Sequence, residues 1–149
     1  MKTIEMSIDI EAPPEKVFTL ATDIERLPER IPSITKIEML TEGPVGVGTK
    51  FRETRVMFKK EATEEMEFTS FDPDHSYVLE AESMGSHYTS TITFTPNGSG
   101  TTMTWAFHAE PLSAFSKIAG SLLFAVFAGA TRRALLEYLE AIKLEAERD

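Results

Sequence analysis

Two segments in the middle of the chain place ionisable side chains among apolar ones. Glu64 falls on the same face of its predicted strand as Ala62, Met66 and Phe68, which predicts that its carboxylate points toward the interior. In residues 49–58 two phases are open, because either Glu53 and Arg55 face inward or the alternate residues do. A buried charge needs a partner. An inward Glu64 close to an inward Arg55 could therefore orient a water molecule or the polar head group of a ligand.

Tyr88 offers a hydroxyl group near these charges. In an enzyme, an inward Glu64, Glu53 or Tyr88 could move protons on a bound substrate. A structural interpretation competes with this one, because an internal ion pair, or charged residues in contact with solvent at a cavity mouth, would leave the same pattern. The sequence alone leaves both interpretations open, together with the phase of residues 49–58.

Apolar residues complete the set of candidate ligand contacts. The aromatic residues among them also fit a simple core, since inward aromatic side chains are common in any such sheet. In a hollow fold one residue can serve both purposes. The candidate ligand-binding residues are Glu53, Arg55, Glu64, Met66, Phe68, Tyr88, Ile92, Trp105, Phe107, Leu123 and Phe127.

The elements that would position these residues follow from periodicity and from proline and glycine. Residues 4–10 alternate as a half-buried strand, and Pro13 and Pro14 then open a helix. Asp23 is suited to cap a second short helix that carries Ile24, Leu27 and Ile31. From residue 34 to residue 110, strands separated by turn residues predict an antiparallel meander, in which threonines face water and aromatic residues face inward.

One long helix is predicted over residues 114–147. Residues 118–130 are apolar nearly all round, so we expect them to be enclosed, whereas the second half narrows to a single apolar stripe. A curved sheet around such a helix would leave a hollow for a small molecule. No apolar run approaches the ~20 residues that a membrane-spanning helix needs, and no leader segment is visible. Membrane insertion is therefore not expected, and a cytoplasmic location is.

Composition narrows the classes of function. The chain has 149 residues, which fits a single domain over 1–149, and it contains no cysteine for a disulfide, a thiolate nucleophile or a thiolate metal site. The formal net charge of -9 argues against nucleic-acid binding, since phosphate binding needs clustered basic residues. Asp72, Asp74 and His75 have metal-ligating side chains, but they fit a turn better. We expect neither a metal nor a cofactor.

Several short motifs resemble the START-related SRPBCC superfamily, which includes polyketide cyclase and dehydrase-like proteins and lipid-transfer proteins. They are IEAPPEKVF at residues 10–18, LPERIP at 27–32, GVGTKF at 46–51 and FDP at 71–73. The resemblance covers essentially the whole chain. It implies an α+β helix-grip fold, in which a seven-stranded curved antiparallel sheet wraps round a long C-terminal helix, with two short helices after the first strand. It also implies a cavity for an apolar or amphipathic ligand.

The favoured function is binding of a hydrophobic or amphipathic small molecule, such as a lipid, a polyketide-like compound or an aromatic compound, in a cavity between the sheet and the C-terminal helix. The two small helices and the loop of residues 43–48 would form its gate. A cyclase or dehydratase-like enzyme that uses inward Glu or Tyr side chains is the first alternative. A protein-interaction module, with an acidic contact face, is the second. The sequence leaves open whether the chain forms a homodimer.

Overall fold

The computed structural model describes the backbone of residues 2–57, 59–83, 85–112 and 114–148, and their side chains except those of Lys2, Met57 and residues 114–127. Seven strands and three α-helices follow one another along the chain. In order, they are β1 (Lys2–Ile10), α1 (Pro14–Ala21), α2 (Leu27–Arg30), β2 (Ile34–Met39), β3 (Lys50–Met57), β4 (Lys60–Asp72), β5 (Ser76–Ser83), β6 (Ser86–Asn97), β7 (Gly100–Pro111) and α3 (Ala114–Ala146).

All seven strands form one antiparallel sheet in the order β1-β7-β6-β5-β4-β3-β2. Strands β2 to β7 form a meander, as predicted, and β1 closes the sheet by pairing with β7. The first two strands of the chain therefore lie at opposite edges. The helical segment between them has to cross the width of the sheet, and it does so at one end. The predicted helix-grip architecture is confirmed.

The two faces of β6 and β7 differ as their sequences indicate. The inward face of these strands carries Ile92, Phe94 and Met103, which are almost completely buried. Their neighbours along each strand, such as Thr93 and Thr104, lie on the outer face and are partly exposed. Because side chains alternate with period two, this register places every aromatic residue of the two strands on the inner face.

The phase of β3 is the first of the two alternatives. Phe51 and Glu53 are buried, and Arg55 lies on the same face. Pairing with β4 places Glu53 directly opposite Glu64, and Arg55 directly opposite Ala62. Directly opposed residues of antiparallel strands point to the same side of the sheet. Both glutamates and the arginine therefore share the inner face.

The second helical segment differs from the prediction. A 3-10 turn at Ile24–Arg26 is followed by only one α-helical turn, α2, and Ile31 already has extended backbone geometry. Asp23 makes no side-chain capping hydrogen bond. Its carboxylate instead accepts a hydrogen bond from Arg30 Nη2 at 3.5 Å. The turn brings Arg30 close to Asp23, so the Asp23 carboxylate bonds to this guanidinium and not to the backbone amides of the helix.

Helix α3 has 33 residues and would span roughly 50 Å. Its second half contacts β1, β7, α1 and α2. The apolar stripe predicted there is confirmed, because its members are all buried; they are Leu135, Tyr138, Leu139, Ile142 and Ala146. No helix in the part of the chain that the structure describes is long and apolar enough to cross a membrane. The enclosure expected for residues 118–130 concerns side chains that lie mostly outside that part.

A hydrogen-bonded pair of tyrosines ties α3 to α1 and to the sheet. The Tyr138 hydroxyl donates to the backbone oxygen of Ala21 at 3.0 Å, and it lies 3.3 Å from the Tyr77 hydroxyl. Because the proton of Tyr138 is used on Ala21, Tyr77 is the donor between the two hydroxyls. Ala21 is the last residue of α1, where carbonyl groups lack helical partners. Tyr138 therefore supplies the missing donor.

Candidate functional site

The inner face of the sheet changes character along its strands. At one end Phe94 and Met103 are 2% and 0% exposed. Toward the other end, Tyr88, Trp105 and Phe107 lie on the same face but are only partly buried. Partly exposed inward side chains indicate that the described residues do not fill the space beside them. The candidate site is this second region of the inner face.

Charged residues from β3 and β4 border this region. Arg55 Nε donates to Glu53 Oε1 at 3.1 Å, and the two side chains are only 17% and 10% exposed. Glu64 lies opposite Glu53 on the neighbouring strand. Within the described part of the chain, no side chain forms an ion pair with Glu64. The Arg55 guanidinium therefore shares the inner face with two carboxylates, those of Glu53 and Glu64, and it pairs with Glu53.

The surroundings of Glu64 shift the pKa of its carboxyl group. Burial raises the pKa of its carboxyl group, the neighbouring Glu53 raises that pKa further, and Arg55 opposes both by lowering it. Removing a carboxylate from water disfavours its ionised form, and a second negative charge nearby acts in the same direction. Glu64 thus holds a proton more readily than an ordinary glutamate, and in the protonated state it can donate a hydrogen bond.

Tyr88 lies on the same face, and its ring stacks on Phe107 with centroids 5.5 Å apart. Burial raises the pKa of the Tyr88 hydroxyl, and the charge of Glu64 raises it further. At neutral pH the Tyr88 hydroxyl therefore keeps its proton. It can donate to, or accept from, a bound molecule.

Trp105 stands in the middle of the inner face, between Met6 on β1 and Ile92 on β6. Its ring meets that of Tyr138 edge to face, with centroids 4.9 Å apart. Its indole Nε1 is buried and, alone among the buried side-chain polar atoms of the described residues, has no hydrogen-bond partner. Sequence reasoning predicted that Trp105 faces inward, but alternation contains no signal for an unpaired N–H group.

The remaining candidates separate into three groups. Met66 lies on the inner face of β4 and is partly buried, next to the partly exposed region. Phe68 and Ile92 are completely buried in the core cluster. Leu123 and Phe127, predicted to form the helix wall of the cavity, lie outside the side chains that the structure describes.

The outer face carries a second feature, which sequence reasoning did not identify. An open groove of about 360 Å³ crosses β4 and β5. Its polar lining includes Lys50, Glu65, Glu67, Glu80, Glu82 and His87. His87 Nε2 lies 2.7 Å from Glu80 Oε1 and Nδ1 lies 3.4 Å from Glu82 Oε1. The alternation of Glu80 and Glu82 along β5 was a visible signal for this cluster.

The acidic residues of the groove act on His87. Its hydrogen bond with Glu80 is the main cause that raises the pKa of the imidazole, and Glu82 adds to it. In return, hydrogen bonds from Thr69 and His87 lower the pKa of Glu80. Among the residues that the structure describes, no group of three or more His, Asp or Glu side chains is arranged to hold a metal ion. His87 is therefore paired with the two glutamates of β5, Glu80 and Glu82.

Comparison with solved structures identifies the same fold in several proteins. The crystal structure of Ara h 8.0201 matches with a TM-score of 0.78 and 19% sequence identity, covering 97% of each chain. TTHA0849 from Thermus thermophilus matches with a TM-score of 0.74 and 22% identity, covering 99% of this chain and 100% of that one. The Zhui aromatase/cyclase from Streptomyces sp. R1128 matches with a TM-score of 0.76 and 18% identity, covering 99% and 94%.

These identities are low, so the structural matches establish the fold and no more. A comparison with curated protein sequences finds no match. A family model, in contrast, matches residues 1–147, which is nearly the complete sequence. Its description is polyketide cyclase / dehydrase and lipid transport. The chain therefore belongs to this family, within the superfamily that its sequence motifs resemble.

Proposed function

We propose that the protein binds a hydrophobic or amphipathic small molecule between the inner face of the sheet and the first half of α3. The observation that carries this proposal is the change along the inner face from complete burial, at Phe94 and Met103, to partial exposure, at Tyr88 and Phe107. Apolar surface that the protein itself leaves partly uncovered gains about 25 cal/mol per Å² when a ligand covers it. The family description, which names lipid transport, supports the same class of ligand.

The charged border gives the ligand a defined orientation. The Arg55 guanidinium, held by Glu53, and the Glu64 carboxyl group lie side by side on β3 and β4. Aromatic residues of β6 and β7 cover the adjoining surface. The polar end of an amphipathic molecule would therefore contact Arg55 and Glu64, with Tyr88 beside them, and its apolar part would lie against Phe107 and Trp105.

Binding is tested directly on the purified protein. Native mass spectrometry should detect a co-purifying small molecule, and the neutral fluorophore N-phenyl-naphthylamine should show saturable fluorescence enhancement that an extracted ligand reverses. A protein that carries no adduct and does not enhance the fluorophore would contradict the proposal. Loss of a detected adduct after mild organic extraction, with recovery of probe binding, would support it.

Strand alternation provides matched controls for the polar contacts. Arg55→Met changes an inward guanidinium, whereas Arg52→Met changes an outward one that pairs with Glu38 at 2.7 Å. Glu64→Gln and Glu65→Gln form a second pair, in which Glu65 is exposed on the outer face. We expect Arg55→Met to weaken binding of an amphipathic adduct, and Arg52→Met to leave it unchanged. Equal effects of the two arginine variants would refute a head-group role for the inner face.

An enzymatic function is the second candidate, and the raised pKa of Glu64 favours it. A carboxyl group with a raised pKa holds its proton to a higher pH than an ordinary glutamate and can act as a general acid on a bound substrate. The family description includes cyclases and dehydrases, and the Zhui protein is an aromatase/cyclase. If Glu64→Gln and Tyr88→Phe abolish turnover of a polyketide-like substrate while its affinity is kept, the enzyme replaces the simple binding protein.

A further inference from the structure

We infer that the indole N–H of Trp105 is a specificity determinant, which selects ligands that present a neutral oxygen acceptor to the middle of the inner face. This inference rests on the proposed function and deepens it. The expected acceptor is a carbonyl, ester or ether oxygen. A pure hydrocarbon would fill the same space without satisfying the donor.

The indole N–H of Trp105 has a fixed hydrogen-bonding capacity. An indole nitrogen is a donor only, so neither rotation nor a change of tautomer can satisfy it in another way. Buried polar groups are nearly always paired, and each exception needs an explanation. Trp105 Nε1 is the exception among the buried side-chain polar atoms that the structure describes.

Among the residues that the structure describes, the neighbours of Trp105 offer its N–H no free acceptor. The cross-strand neighbours of Trp105 are Met6 and Ile92, which have no oxygen in their side chains. The nearby hydroxyl of Tyr138 donates to Ala21 and accepts from Tyr77, so it belongs to another network. The backbone oxygens of β7, which pairs with β1 on one side and with β6 on the other, are used in the ladders of the sheet.

Trp105 lies beside the partly exposed region of the inner face. Trp105 lies where the inner face passes from completely buried residues, such as Met103, to partly exposed ones, such as Phe107. The indole ring is partly exposed at this boundary while its Nε1 is buried, so the side chain has to rotate to bring its N–H to a molecule that occupies the open region. Farther along the same face lie Glu64 and Tyr88, so a ligand that spans the region would have polar contacts at both ends.

The test uses two naphthalene probes of nearly equal shape. Acetylnaphthalene carries a ketone oxygen where isopropenylnaphthalene carries a methylene group. With calorimetry, we expect the ketone to bind the wild-type protein about threefold to tenfold more tightly, which is the effect of one neutral hydrogen bond. Trp105→Phe should reduce this preference to less than about twofold. Tyr138→Phe, which removes the neighbouring hydroxyl and keeps the indole, should retain it.

The sequence contains a single tryptophan, so an isotope-labelled sample gives one indole N–H resonance. The ketone should shift this resonance downfield, whereas the alkene should not; the aromatic ring is common to both probes, so its ring current cancels in the comparison. If Trp105→Phe fails to fold, biosynthetic replacement of tryptophan by benzothienylalanine removes the N–H while the ring shape is kept. It should abolish the preference in the same way.

The outcomes separate this inference from the proposed function. If both probes bind with equal affinity and the indole resonance moves equally with each, the protein binds apolar molecules but Trp105 does not select them, and the inference is overturned. If neither probe binds, the proposed function and the inference are both overturned. A preference for the ketone that survives removal of the N–H would assign the selectivity to another donor and would also overturn it.

Discussion

The tyrosine pair between α3 and the sheet gives a prediction with a defined order of effects. Tyr77→Phe removes one hydrogen bond and leaves Tyr138 donating to Ala21, so it should cost about 1 kcal/mol. Tyr138→Phe removes both bonds and leaves two buried groups without partners, the Ala21 oxygen and the Tyr77 hydroxyl. Because an unpaired buried group costs about 1–3 kcal/mol, we expect a total of about 3 kcal/mol.

The double variant separates these contributions. Once Tyr77 has lost its hydroxyl, Tyr138→Phe no longer creates an unpaired donor there. Tyr77→Phe/Tyr138→Phe should therefore be less destabilised than the sum of the two single variants, by about 1–2 kcal/mol. Burial raises the pKa of Tyr138 to about 12, so both hydroxyls stay protonated and the comparison holds at neutral pH.

Urea unfolding monitored by the fluorescence of Trp105 and by circular dichroism measures these differences. With an m-value of about 2 kcal/mol per molar urea, Tyr138→Phe should lower the midpoint by roughly 1.5 M and Tyr77→Phe by roughly 0.5 M. The m-value should be the same in all four proteins. Equal midpoints for the two single variants, or strictly additive effects in the double variant, would refute this account of the network.

Three further predictions concern single sites. Burial raises the pKa of Glu64 above its ordinary value of 4.5, so wild-type stability should fall as pH rises from the unfolded pKa to the folded one. Glu64→Gln should remove this fall in the urea midpoint, and Glu65→Gln should not. Because the pKa of His87 is raised in the folded state, its protonated form stabilises the protein below the ordinary histidine value of 6.5, and this stabilisation should be lost as pH rises through the folded pKa. If stability changes with pH in the same way in the wild type and in His87→Gln, the prediction is wrong. A Cβ on Gly100 would lie 2.5 Å from a backbone oxygen of β1, so Gly100→Ala should cost about 1–3 kcal/mol, whereas Gly46→Ala, at an open position, should leave the melting temperature nearly unchanged.

Much of the fold could be predicted because single segments carried unambiguous periods. On β6, threonines alternate with apolar residues, so only one face could enter the core. The second half of α3 has one apolar stripe, which includes Leu139 and Ile142, and both are completely buried. In each case a single local pattern predicts which face is buried, and the structure confirms that face.

The phase of β3 could not be predicted, because both of its faces contain charged residues. The decision comes from the partner strand, whose Glu64 stands opposite Glu53 and whose Met66 stands opposite Phe51. That pairing depends on the hairpin between β3 and β4 and on the core that Phe68 completes. A charged residue can face inward when its neighbours hold it there, and local hydrophobicity does not report those neighbours.

The polar contacts of the site could be predicted less well from the sequence than the fold. Glu64, Arg55 and Tyr88 were proposed from their spacing, but the preference of Arg55 for Glu53 depends on a distance of 3.1 Å. The unpaired N–H of Trp105 depends on the absence of a free acceptor among the described residues that surround it. Such an unsatisfied donor is a property of the assembled interior, and no single segment of the sequence encodes it.

The closure of the sheet by β1 has a consequence for biosynthesis. Lys2 pairs with Ala109 and Ile10 pairs with Thr101, so β1 is translated well before β7, its strand partner in the described sheet. Until β7 has been translated, β1 exposes an unpaired edge and the apolar side chains of Ile4 and Ile8. Contacts so distant in sequence slow folding and favour association with other chains. Truncation before β7 should therefore yield a product that depends on chaperones, even though β2 to β6 are complete.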